Sequence, residues 1–268
     1  MSDLRKIPLL IDTDPGVDDA LAILMAFNDP RHEVVGLTIA AGNVGLRHTV
    51  RNALKLCEVA GRDDVPVFAG TPEPLLHPAP DAADVHGNDG FGDIGYVPST
   101  RSAEAEHAAL AILRLSHVHA GRLLLVALGP LSNLALALKL DPTLPQRVAR
   151  LVVMGGAVTA HGNITPAAEF NIAFDPEAAH IVFSAFAHVD LADWKPRWHT
   201  ACRMPTWSAG CRPIPRARRS TVRSRRKPAC GRPTAAAITG IRPMPWRWPM
   251  RWNRMVPVKP SPVRWRWN

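Results

Sequence analysis

The chain has 268 residues, 47% of them hydrophobic, enough for one large domain with a substantial core. No run comes near the roughly eighteen uninterrupted apolar residues of a membrane-spanning helix, which excludes that class. The net charge of +9 would suggest a nucleic-acid or anionic-surface partner, but it averages two regimes: residues 1–193 hold 13 Lys/Arg against 23 Asp/Glu, and residues 194–268 hold 19 Lys/Arg and no acid.

The opening, MSDLRKIPLLIDTDPG, reaches an acidic turn before an apolar signal core could form, so a cytoplasmic protein is expected. Ile7–Asp12 is a short apolar run closed by Pro15-Gly16, the pattern of a buried strand. Helical spacing over Ala20–Phe27 stops at Asn28-Asp29-Pro30. Val34–Ala40 predicts a strand, His48–Ala60 a helix ended by Gly61, and Val65–Phe68 a third strand. Helix Glu104–His119, strand Leu123–Leu128, helix Leu131–Leu140, strand Leu151–Met154 and helix Pro176–Ala185 complete the series. Strands spaced by helices predict an α/β fold, an open, mostly parallel sheet with helices on both faces. In such sheets ligands bind beyond the carboxyl ends of the strands, so chemistry is sought in the loops after Asp12, Ala40, Leu128 and Met154.

The first loop holds four carboxylates in eight residues, Asp12, Asp14, Asp18 and Asp19. Like charges this close repel, and a cation would relieve them. Hard oxygen ligands in an irregular loop suit Ca²⁺ or Mg²⁺ rather than Zn²⁺. First-turn acids at a helix N-terminus would account for Asp18 and Asp19, but not for Asp12 and Asp14 at a strand end. The other loops carry weaker signals. Asn43 can be an ordinary turn residue; Val85–Gly90, with His86, can be a solvated loop; and Leu128–Asn133 can be a strand-to-helix turn capped near Ser132. Asn163, Glu169 and Asn171 offer a carboxylate and two amides, groups suited to sugar hydroxyls.

Taken in order, DTDPGVDDALAI, TIAAGNVG, VHGNDGFG, LGPLSNLA, VVMGG and AEFNIAFDPEAAHIVF resemble the inosine-uridine nucleoside hydrolase family, over about Ile7 to Phe186. The resemblance implies a Rossmann-like α/β domain over residues 1–190, a bound Ca²⁺, and hydrolysis of the N-glycosidic bond of ribonucleosides, with ribonucleoside as the small-molecule partner and a homodimer or homotetramer as the usual assembly. It implies Asp14, Asp19 and the Leu128 carbonyl as metal ligands and Asp18 as the general base that activates water. Asn163, Glu169 and Asn171 match ribose-binding positions, with Asn43 nearby as a further substrate-binding residue and His86 on the substrate-pocket loop. Attack through an oxocarbenium-like state would be favoured by anionic and amide oxygens around the ribose.

The family pattern stops near Ala187. Family members supply a further Asp to the Ca²⁺, and often a His to the leaving base, from their C-terminal part; here no Asp or Glu follows Asp193, and His199 is the last His. Residues 191–268 are instead an Arg-, Pro- and Trp-rich tail, carrying all 8 Trp after residue 193, and are expected to be irregular or disordered. We read the tail as translation out of frame from near residues 186–194. Met and Trp have single codons, so Met244–Asn253, started at the third base of each codon, must read Ala, apolar, Ala/Glu, apolar, Ala, one polar or aromatic residue, Ala/Glu, apolar, Glu, a helix-forming string. The rival is a basic tail with Arg for phosphates and Trp for base stacking, which composition alone supports. Cys202, Cys211 and Cys230 lack zinc-module spacing. The hydrolase reading therefore stands beside two others, a catalytically inactive ribonucleoside-binding remnant and a basic RNA-binding adaptor.

Overall fold

The computed structural model describes residues 6–79, 83–158 and 161–194, so the expected basic tail lies outside the described residues beyond Trp194. Six parallel strands form one sheet in the order β3-β2-β1-β4-β5-β6: β1 (Ile7–Thr13), β2 (His32–Ile39), β3 (Val67–Ala69), β4 (Leu123–Ala127), β5 (Val148–Met154) and β6 (Asp190–Ala192). The helices are α1 (Val17–Asn28), α2 (Leu46–Val59), α3 (Ala83–His86), α4 (Ala108–Val118), α5 (Ser132–Leu140), α6 (Phe170–Phe174) and α7 (Pro176–Ala185). The expected open parallel sheet with covering helices is therefore present.

Alternation along β1 divides the core in two. Leu9 and Ile11 join Ile23 of α1 and Ala53 and Leu54 of α2 on one face. Leu10 joins Leu125 of β4, Ile112 of α4, Leu134 of α5 and Val182 of α7 in the other cluster. Leu10, Leu125 and Leu134 are completely buried, so truncating any of them to Ala costs about 2–5 kcal/mol.

The strand order runs one way from β1 through β3 and the other way from β4 through β6. The reversal lies between the paired strands β1 and β4, where open α/β sheets form their ligand crevice. The acid loop leaves β1 and the Leu128 turn leaves β4 at this point.

Several boundaries differ from the expectation for local reasons. The helix expected from Glu104 begins at Ala108, because Glu104 N–H donates to Val67 O (2.8 Å) and the His107 ring accepts Ala109 N–H (3.2 Å) as an N-cap. The short helix α6 was not foreseen; the Glu169 carboxylate caps it, accepting Asn171 N–H at 3.0 Å. Strand β6 was not foreseen either, since three residues carry no periodic signal. It extends the sheet past Ala187, and Trp194 N–H donates to Gly156 O (2.7 Å) behind it.

Candidate active site

The acid loop is built by β1 ending at Thr13 and α1 beginning at Val17. Asp19 folds back to accept Gly16 N–H (3.1 Å) and the Thr13 hydroxyl (2.8 Å), which closes the turn and turns its carboxylate inward. Asp12, Asp14 and Asp19 are all buried, whereas Asp18 is exposed. The four carboxylates thus divide into three interior ones and one that solvent reaches.

Asn43 clasps the interior group from the β2 side. Its backbone N–H donates to Asp14 Oδ2 (2.7 Å), and its side-chain amide donates to Asp14 O (3.0 Å) and Asp19 Oδ2 (3.1 Å). Asp14 also lies between two glycines: a Cβ placed on Gly42 or on Gly129 would overlap its carboxylate oxygens. Among the described residues, Asp14 Oδ1 and Asp12 Oδ2 have no hydrogen-bond partner.

Burial drives the electrostatics. It pushes Asp12 up to about 6, against hydrogen bonds from Thr38 and Asn133 that favour the carboxylate. Burial and then the Asp18 charge push Asp19 up to about 6, while burial and the Asp19 charge hold Asp14 well above the carboxylate range. The neighbouring charges acting on Asp14 and Asp19 are themselves carboxylates. Buried anions without a cation neutralise by taking up protons, and a divalent cation would do the same work by charge.

Two carboxylates, a free Oδ1 and a nearby strand-end carbonyl are oxygen donors that fit a hard divalent cation. The donor set is incomplete: no group of three His, Cys, Asp or Glu side chains able to hold a metal exists among the described residues. Leu128 N–H donates to Asp12 O (2.7 Å), and Leu128 O accepts the Asn171 amide (2.7 Å) while keeping a second lone pair.

The remaining expected residues split. Asn171 and Glu169 are buried beside the ends of β4 and β5: Asn171 Nδ2 bridges Leu128 O and Met154 O (3.3 Å), and Glu169 Oε2 accepts Gly156 N–H (2.9 Å). Much of the hydrogen-bonding capacity of these two is thus spent inside the protein, leaving Asn171 Oδ1 and spare Glu169 lone pairs for a ligand. Asn163 Oδ1 accepts Phe170 N–H (2.8 Å) at the start of α6, an exposed contact. His86 lies against the acid loop, since a Cβ on Gly16 would stand 2.8 Å from its Nδ1 and 2.8 Å from Asn43 Nδ2. Its burial lowers the imidazole pKa, opposed by the charge of Asp18.

Three supporting residues escaped the sequence reading. Asn133 of α5 donates to Asp12 Oδ1 (3.0 Å) and accepts Thr71 N–H (2.9 Å), joining the ends of β1 and β3. Thr38 donates its hydroxyl to Asp12 Oδ1 (2.7 Å). Asn52 of α2 bonds the acid loop to the His86 loop. Asn133 and Thr38 sit inside quoted motifs, so position within a motif could have flagged them. For Asn52 the signal was a polar residue on the apolar face of a helix. A separate cavity of 530 Å³, lined by Leu75, Leu76, Pro176, Glu177, His180 and Ile181, contains none of the expected site residues.

A family model described as inosine-uridine preferring nucleoside hydrolase matches residues 9–227, running past the last motif recognised in the sequence. The chain is 48% identical over 184 residues to Uridine nucleosidase 1 of Arabidopsis thaliana, covering 68% of this chain and 55% of that protein. It is 41% identical over 182 residues to a pyrimidine-specific ribonucleoside hydrolase of Escherichia coli O157:H7, covering 68% and 58%. Among solved structures, a plant nucleoside hydrolase aligns with TM-score 0.66 at 39% identity, over 70% of this chain and 60% of that one. A purine-preferring ribonucleoside hydrolase from Gardnerella vaginalis aligns with TM-score 0.67 at 37% identity, over 69% and 60%. The chain therefore spans less than two thirds of the length of the relatives it matches.

Proposed function

The chain belongs to the inosine-uridine preferring nucleoside hydrolase family, and on that premise we propose that its acid loop binds Ca²⁺ and hydrolyses the N-glycosidic bond of ribonucleosides, releasing ribose and free base. The observation that carries this reading is the buried Asp14 carboxylate, with one oxygen clasped by Asn43 and the other lacking a partner, next to an exposed Asp18. Asp14, Asp19 and the Leu128 carbonyl would hold the cation, which when bound supplies Lewis acidity toward water and the sugar hydroxyls.

This chain's own groups supply the rest. Asp18 is within reach of solvent, so its carboxylate can take a proton from attacking water. Glu169, Asn171, Asn163 and Asn43 would offer acidic and amide groups to the ribose hydroxyls, and negative oxygens there would favour positive charge developing at the anomeric carbon. Asp18 stands in the first turn of α1 and Glu169 and Asn171 at the start of α6, whose hydrogen-bonded helix ends limit the geometry the reactants would sample. The names of the two sequence relatives favour a pyrimidine ribonucleoside as first substrate.

Turnover by this chain is low under this proposal, because residues 194–268 hold no Asp or Glu that could complete the cation's shell. That same feature favours a second reading, a ribonucleoside-binding remnant without turnover. Incubating the full chain with uridine, with and without chelator, separates them. Chelator-sensitive release of uracil, lost in Asp18→Asn, supports the hydrolase. Uridine-induced stabilisation without release supports the remnant, and neither response sinks both.

A further inference from the structure

We propose that Asn52 is a positioning residue of this site: its side-chain amide pins the loop carrying His86 to the acid loop and so holds His86 against the turn at Gly16. This rests on the reading of the site given above.

Asn52 lies on α2 and is completely buried. Its Nδ2 donates one hydrogen to Pro15 O in the acid loop (3.0 Å) and the other to Asp89 O (2.9 Å), and its Oδ1 accepts the Tyr96 hydroxyl. Both donors of the amide are thus used, one on each loop. The segment 86–93 is otherwise bonded to itself. Gly92 N–H donates to His86 O (2.7 Å), Asp89 Oδ1 takes the N–H groups of Phe91 (2.7 Å) and Asp93 (3.0 Å), and Asn88 Nδ2 donates to Asp93 (3.0 Å). Among the described residues, the Asn52–Asp89 bond is the hydrogen bond that ties this segment to the rest of the protein. The other attachment is packing, through Phe91 against the core and its ring 5.5 Å from that of Tyr96.

The close approach has a backbone signature. Gly90 has φ +81, and a Cβ there would stand 2.8 Å from Asn52 Nδ2. The chemistry of an amide is specific to this role. Aspartate has the same shape but no N–H, so it would face two carbonyl oxygens with a buried negative charge.

The test uses the full chain with histidine ring carbons labelled, the His86 signal being assigned from its loss in His86→Asn. In the chain with Asn52, Asp18→Asn is expected to move the His86 signal. In the Asn52→Asp background that movement is expected to fall to about half or less, a coupling read as in a double-mutant cycle. Asn52→Ala, which removes both donors without adding a charge, should give the same loss and decides by the same criterion if Asn52→Asp does not fold. Asp175→Ala, destabilised at a distance from the loop, should leave the movement intact, which separates positioning from general loosening. An undiminished His86 response in Asn52→Asp, or in Asn52→Ala where only that variant folds, overturns the proposal. The comparison needs no ligand, so a chain that fails to bind uridine refutes the functional reading without deciding this one.

Discussion

Asn43 donates its backbone N–H to Asp14 Oδ2 at 2.7 Å, and this single bond orients a buried carboxylate whose other oxygen finds no partner among the described residues. A carboxylate held this way exchanges protons and cations at the same atoms. Burial raises Asp12 and Asp19 to about 6 and Asp14 well above the carboxylate range. Groups raised in the folded state stabilise it fully below the unfolded value of about 4, and that contribution is lost as pH rises through the folded value. In chelator, the melting temperature should therefore be higher at pH 5 than at pH 7.5. Asp141, lowered to about 2, acts only below this window, and the His86 imidazole, lowered by burial, opposes the trend within it but is one group against three raised carboxylates. Added Ca²⁺ should raise the melting temperature at pH 7.5 and much less at pH 5, as mass action requires of a ligand competing with protons. Equal Ca²⁺ shifts at both pH values would refute the link, and a thermal scan series measures them.

The glycines around Asp14 give a sharper test. Gly42→Ala and Gly129→Ala each drive a methyl group into its carboxylate oxygens, so Ca²⁺ affinity should fall about tenfold or more, roughly 1.4 kcal/mol. Gly45→Ala, where a Cβ meets nothing within 4 Å, should leave affinity unchanged. Calorimetric titration of the three variants decides, and equal behaviour of all three would place the cation elsewhere.

Asp18 should separate chemistry from binding. Asp18→Asn is expected to remove whatever base release the chain shows while leaving Ca²⁺ affinity within about twofold, because Asp18 is exposed and lies outside the buried pair. A large loss of Ca²⁺ binding would make Asp18 a ligand instead.

Asp175 carries a purely structural prediction. It caps α7 through Ala178 N–H (2.9 Å) and accepts the Ser132 hydroxyl (2.6 Å) and Leu75 N–H (3.0 Å). Asp175→Ala removes the cap and leaves these donors without their acceptor, so it should cost about 2 kcal/mol or more in chemical denaturation. A loss under about 0.5 kcal/mol would show that water replaces the carboxylate freely.

The tail is tested in the gene. Resequencing across the codons for Ala185–Lys195 is expected to reveal an added or missing base. Restoring the frame should yield a chain ending with acidic residues, tighter Ca²⁺ binding and faster turnover. A confirmed sequence would mean that the shift is real in this gene and that its product is an inactive, poorly folding remnant.

Local order was legible where side chains repeat with a period. Strand runs such as Leu9–Ile11 and Leu123–Leu125, and the helix over Pro176–Ala185, followed from spacing and from Pro and Gly punctuation. Short elements were not legible: β6 exists because β5 offers it an edge, and α6 because Glu169 caps it.

By itself the amino-acid sequence determined the parallel α/β class, the clustering of Asp12, Asp14, Asp18 and Asp19 and the motif series that resembles one family, because these depend on residue types at short separations. Only the tertiary structure decided which carboxylates are interior, which oxygen of Asp14 lacks a partner, and how Asn133 reaches Asp12 and Asn52 reaches Asp89. Asn133 and Asp12 are 121 positions apart, and Asn52 and Asp89 37 apart. The sheet brings such pairs together, and burial, which sets both the proton affinity of the acids and the cost of an unmet hydrogen bond, exists only once the chain has packed.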